Sequence, residues 1–109
     1  MTAHWEKGDS HVVLVIEGVA SRCVEFKKAL EINIEGNILI DATRMDKLDP
    51  ESINYLDEFA KNHKAKKFSI VLASQIKKMR FSNLEMVPTV PEARDLIFLE
   101  IAERELGLF

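Results

Sequence analysis

The chain has 109 residues, 47% hydrophobic and 30% charged, with a formal charge of −3 at pH 7, enough to bury about two-thirds of its unfolded surface as one domain over residues 1–109. Interspersed acids and bases exclude the basic face of a nucleic-acid binder, and the apolar runs are too short to cross a bilayer. One cysteine, Cys23, excludes an internal disulfide and suits a reducing cytoplasm, and residues 1–10 lack the apolar stretch of a secretion signal.

Thr2 to Glu6 and His11 to Glu17 are strand candidates on either side of Lys7-Gly8-Asp9-Ser10. Gly8-Asp9 at the centre predicts a type II′ hairpin, with His11 facing Glu6. His11 to Ile16 is a nearly continuous β-branched run, as in a strand covered on both faces, and Gly18 ends it. Ser21 is a plausible N-cap for a helix to about Glu31, with Cys23, Phe26 and Leu30 on one face and Val24 at its margin.

Glu35-Gly36-Asn37 is a turn, and Ile38-Leu39-Ile40 a buried strand that ends on Asp41 and gives way to a loop. Asp49 followed by Pro50 reads as an N-cap and first helical residue. Ile53, Leu56, Phe59 and Ala60 then form a helical apolar stripe, and Asn62 to Lys67 a solvated helix end. Phe68 to Ala73 is another buried strand. Ser74 to Phe81 has the period of a short amphipathic helix through Ile76 and Met79. Met86-Val87 is a short strand, and Pro91 opens a last helix over Glu92 to Leu106, with Thr89 or Val90 near its cap. A hairpin followed by alternating helices and strands calls for an α/β fold: a mixed sheet of about five strands with about four helices.

These residues, in this order, resemble the STAS domain, the fold of the anti-sigma factor antagonist family. The family's most recognisable segment is a strand ending in aspartate, a polar loop, and Asp-Ser-Ser/Thr-Gly-x-x-x-Leu at the start of the second helix. Here it reads Ile38-Leu-Ile-Asp41-Ala-Thr43-Arg-Met-Asp46-Lys-Leu48, then Asp49-Pro50-Glu51-Ser52-Ile-Asn-Tyr55-Leu56. The early hairpin to Gly18, the strand Phe68 to Ala73 and the entry Pro88-Thr-Val-Pro-Glu-Ala93 extend the likeness over most of the chain.

The resemblance implies a bacterial, cytoplasmic regulator of transcription. It would be non-enzymatic, with no cofactor and no metal, and would dock on an anti-sigma factor or kinase-like protein. The implied docking residues are Asp41, Thr43, Asp46, Asp49, Pro50, Glu51, Ser52 and Tyr55. Phosphorylation of a serine at this edge breaks such complexes, because phosphate adds nearly two negative charges that an interface cannot bury unpaired. Here the usual phosphoacceptor position is Glu51. Either the switch is lost, the favoured reading, or Ser52 has taken it over one residue along. The alternative function is a small-ligand or nucleotide-sensing accessory domain using the same edge.

Other candidates are weaker. Asp41 and Asp49 suggest a carboxylate pair, but a receiver-type phosphoacceptor site would need acids after the second strand and a lysine near Ser74. His4, His11 and His63 are scattered through different elements without metal-ligand spacing. None of the glycines falls in a phosphate-cradling motif. Lys61, Lys64, Lys66 and Lys67, then Lys77, Lys78 and Arg80, read as solvated ends or as a docking patch for an acidic partner.

The last helix is apolar on two sides. At about 100° per residue, Ala93, Ile97 and Ile101 share one side. Phe98, Ala102, Leu106 and Phe109 lie nearly opposite, beside Leu96 and Leu99. The segment 94–109 also exceeds what the family carries after its Glu-Ala start. Phe98, Leu99, Leu106 and Phe109 therefore form either a patch for a homodimer or partner, or a tail folded back on the hairpin near Trp5.

Overall fold

The structure is a computed structural model that describes residues 2–20, 23–31 and 35–107. Among these residues it forms one five-stranded sheet, in the order β1 (Thr2–Lys7), β2 (His11–Ala20), β3 (Asn37–Lys47), β4 (Ile70–Ala73) and β5 (Glu85–Val87). β1 is antiparallel to β2, and the other neighbours are parallel. Three helices are described: α1 (Cys23–Leu30), α2 (Pro50–Ala65) and α3 (Val90–Glu105). The mixed α/β architecture is the expected one, with one helix fewer.

Alternation along the strands divides the core in two. Leu14, Ile16, Ile38, Ile40, Ile70 and Leu72 face one side, where Phe26 and Leu30 of α1 and Leu56 and Ala60 of α2 cover them. Val13, Val15, Leu39, Val71 and Ala73 face the other, with Ala93 and Ile97 of α3. Val24 of α1 is exposed, outside this packing. The Ser21 cap, the Cys23 side chain, Phe109 and the folded-back tail lie outside the described residues.

The hairpin turn is centred one residue later than expected. Gly8 N–H donates to the His11 carbonyl at 2.9 Å, leaving Asp9 and Ser10 at the tip. Ser10 carries the left-handed φ of 64°, and Glu6 pairs with Val13 rather than His11. The cause is the His11 ring, which is buried, holds the Asp9 carbonyl through Nδ1 at 2.6 Å and meets Phe98 edge-on at 6.0 Å. A Cβ on Gly8 would stand 2.5 Å from its Nε2, so glycine is required by the ring rather than by its own φ.

The segment Ser74 to Phe81 is not a helix. The Ser74 hydroxyl accepts the Ile76 N–H at 3.1 Å, and Lys78 takes a left-handed φ of 69°, so the backbone turns away from helical pairing. Met79 is buried and Ile76 partly so, which explains the helical spacing without a helix. The loop is anchored on α2 by Asp57, which accepts Asn83 N–H at 2.7 Å, Leu84 N–H at 3.2 Å and the Asn83 amide at 3.2 Å. Burial raises the Asp57 pKa, but these hydrogen bonds outweigh it and hold the carboxyl below its ordinary value.

The end of α2 is also less solvated than its lysines suggest. His63 is buried, donates from Nε2 to the Gly36 carbonyl at 2.6 Å, stacks on Phe59 at 5.6 Å and meets Phe68 at 5.3 Å. Burial is the main cause of its lowered pKa, Lys66 adds to it, and the Gly36 bond opposes it.

Candidate functional site

The site lies where the parallel strands end, the edge at which α/β sheets present ligand-facing loops. The expected loop after Asp41 is instead a continuation of β3 to Lys47. β3 leaves β4 after the pair Asp41–Ala73 and continues along β2, with Glu17 opposite Arg44, Gly18 opposite Met45 and Ala20 opposite Lys47. Between Val15 and Glu17 the register slips, because β3 inserts one extra residue. Asp41 shapes this bulge: its Oδ1 accepts the Thr43 N–H at 3.1 Å and the Thr43 hydroxyl at 2.6 Å. Gly18, with φ of 144°, lets β2 follow the irregular strand without a Cβ penalty.

The ribbon leads into α2. Asp49 is its N-cap, accepting the Ser52 N–H on Oδ1 at 2.8 Å, and Pro50 occupies the first turn. Helical spacing then sorts the neighbouring side chains. Asp46, Pro50 and Glu51 are exposed, Asp41, Thr43 and Asp49 half-buried, and Ser52 has no exposed surface. Tyr55 is half-buried and turned toward α1, where Lys27 Nζ lies 5.8 Å from its ring centroid. The structure thus joins Asp41 to Thr43 and Asp49 to Ser52. Both carboxylates shape backbone, and neither bonds to the other.

The exposed charge on the ribbon is mixed, with Arg44, Asp46 and Lys47, and turns acidic at the start of α2. Glu51 and Asp49 sit at the positive end of the α2 dipole, which stabilises them there. Arg44 pairs across the ribbon with Glu17 at 2.9 Å, both substantially exposed, a contact of little energetic weight. Past the end of β4 the sign reverses. An open groove of about 420 Å³ between Ser74 and Pro88 has Ile76, Met79 and Met86 in its lining and Lys77, Lys78 and Arg80 at its mouth. Lys77, Lys78 and Arg80 are exposed. Their position beside the acidic edge follows from the non-helical path of the 74–81 loop.

No described group of His, Cys, Asp or Glu is arranged to hold a metal ion, and no described helix is long and apolar enough to cross a membrane. The described residues of this edge present exposed charge, acidic at the start of α2 and cationic along the adjoining groove.

The architecture defines the class: the fold is STAS-like. Seven solved chains match it. One, a serine-to-glutamate variant of RsbS from Moorella thermoacetica, superposes with a TM-score of 0.71 over 91% of this chain and 97% of that one, at 15% sequence identity. No family model matches the sequence, nor does any curated protein.

Proposed function

We propose that this protein is a non-enzymatic regulatory module of the anti-sigma factor antagonist type. It docks on an anti-sigma factor or kinase-like partner through the ribbon and helix-start edge from Asp41 to Leu56. Asp46, Asp49, Pro50 and Glu51 form the contact surface, and Asp41 and Thr43 set the shape of the ribbon beside it.

The observation that carries this reading is the first turn of α2, where Glu51 is exposed and Ser52 wholly enclosed. A phosphate on Ser52 would need room for nearly two charges and three oxygens, which the packed helix start does not provide. Glu51 supplies one permanent charge at the helix N-terminus. The serine switch is therefore absent, and the partner meets a fixed negative surface. Its complement is a partner with a cationic or donor-rich contact face.

The test is direct binding to the anti-sigma factor or kinase-like protein recovered with this chain from its source cell. Reversal of the charge in Glu51→Arg is expected to weaken that complex by about tenfold or more, with the fold intact by circular dichroism. Unchanged affinity would overturn the assigned edge. Incubation with the partner kinase and ATP is expected to leave Ser52 unmodified. Phosphate found there by mass spectrometry would overturn the loss of the switch.

A further inference from the structure

A helix that covers one face of a sheet needs one apolar stripe, and α3 has that stripe in Ala93 and Ile97, both buried. Its outward face nevertheless carries Phe98, Leu99 and Leu106, which are 40%, 54% and 75% exposed. Exposed apolar side chains clustered along one helix face mark an interaction surface more often than chance exposure. The ridge stands between two open grooves. One, of about 530 Å³, has Lys7, Asp9, Arg94 and Phe98 in its lining, and the other, of about 340 Å³, has Phe68, Leu96 and Leu99.

The charges on this face say what covers it. Arg94 lies toward one end of the stripe and Glu105 toward the other, both exposed and neither in an ion pair among the described residues. Place a second α3 antiparallel, with the two-fold axis passing between Leu99 and Glu100. Arg94 is then level with the partner's Glu105. Phe98 falls within about 1.5 Å along the axis of the partner's Ala102, a large side chain against a small one. A two-fold operator makes each of these pairings twice. A parallel pair would instead set Arg94 against the partner's Arg94 and Glu105 against the partner's Glu105. The helix is self-complementary in the antiparallel sense alone.

We infer that the outer face of α3 is the homodimer interface of this protein: a second copy packs antiparallel across Phe98 and Ala102, with Arg94–Glu105 pairs at both ends. The docking edge lies at the start of α2, on the opposite side of the sheet, so a dimer presents two such edges.

Light scattering coupled to size exclusion tests the pairing on the full chain, over a concentration series. The dimer mass is expected for the native protein and the monomer mass for Phe98→Asp, with its fold checked by circular dichroism because Phe98 also meets the His11 ring edge-on. Two charge variants test the register. Arg94→Glu and Glu105→Arg are each expected to weaken dimerisation by about tenfold, from two exposed ion pairs reversed, and the double variant to restore it. A native protein that stays monomeric at every concentration would overturn the proposal and leave the stripe to a different protein. A dimer untouched by Phe98→Asp, or charge variants that fail to rescue one another, would overturn this interface.

Discussion

Where the parallel strands finish, the half-buried side-chain hydrogen bonds reach two or three residues along the chain, Asp41 to Thr43 and Asp49 to Ser52, and the longer Arg44–Glu17 contact there is exposed. Where the strands begin, they span tens of residues. His63 reaches Gly36, Ser69 N–H donates to Asn37 at 2.8 Å, and Arg104 donates to Ser69 at 2.9 Å and Asn37 at 3.1 Å. Ser69 in turn donates to Glu100 at 2.8 Å, and the Asn37 amide to the Ser10 carbonyl at 3.0 Å. One end closes the fold by joining the hairpin, the sheet, α2 and α3, and the other shapes a surface with local bonds and one exposed cross-strand ion pair of little weight. With the proposed docking edge at the second end, stability and partner binding should respond separately to substitution.

The sharpest way to break that division is at the closed end. His63→Ala removes an aromatic ring packed between Phe59 and Phe68 and leaves the Gly36 carbonyl without its donor. A loss of about 3 kcal/mol in a denaturant titration is expected, from the cavity and the unpaired group together. Affinity for the partner at a temperature where the variant is folded should not change.

The same residue makes stability depend on pH. Because its folded pKa is depressed, the unfolded chain takes up the proton first as pH falls. The His63 contribution is complete above the unfolded value of about 6.5 and declines as pH falls from there toward the folded value. Unfolding midpoints at about pH 7.5 and pH 5.5 should therefore differ more in the native protein than in His63→Gln. An equal pH response in both would remove His63 as the cause.

The same contrast governs what could be read from the sequence. The short-range devices were legible: Asp49-Pro50 announces the cap and first turn of α2, and the apolar runs of β2, β3 and β4 place the sheet. The long-range ones were not. His63 sits among lysines and reads as solvent-facing until Gly36, from another segment, closes over it. β3 reads as ending on Asp41 because the Asp41–Thr43 bond is a turn signal, and only pairing with distant β2 carries the strand on to Lys47. The 74–81 loop kept a helical spacing because its apolar residues are buried by neighbours. At the site, the charges were legible, while the enclosure of Ser52 and the turn of Tyr55 toward Lys27 depended on how α2 packs.

A smaller effect is expected at the cap. Asp49→Ala removes the acceptor for the Ser52 N–H and a negative charge from the α2 dipole, costing about 1 kcal/mol of stability. Partner affinity should fall with it, because the cap residue belongs to the proposed contact surface. A stability loss with full affinity would place the contact elsewhere on the edge.

The smallest change, Thr43→Val, addresses the local end alone. It deletes the hydroxyl bond to Asp41 and keeps the Thr43 N–H bond, the β-branched shape and the strand. Thr43 is half-exposed, so water can replace the lost donor, and the stability loss should stay below about 1 kcal/mol. The bulge survives on its remaining bond, but the Asp41 carboxylate is held by one donor instead of two. If the ribbon's shape is part of what the partner recognises, affinity falls several-fold while the denaturant midpoint barely moves. A drop in stability comparable to that of His63→Ala would mean the bulge closes the fold as well, and the separation between the two ends of the sheet would fail.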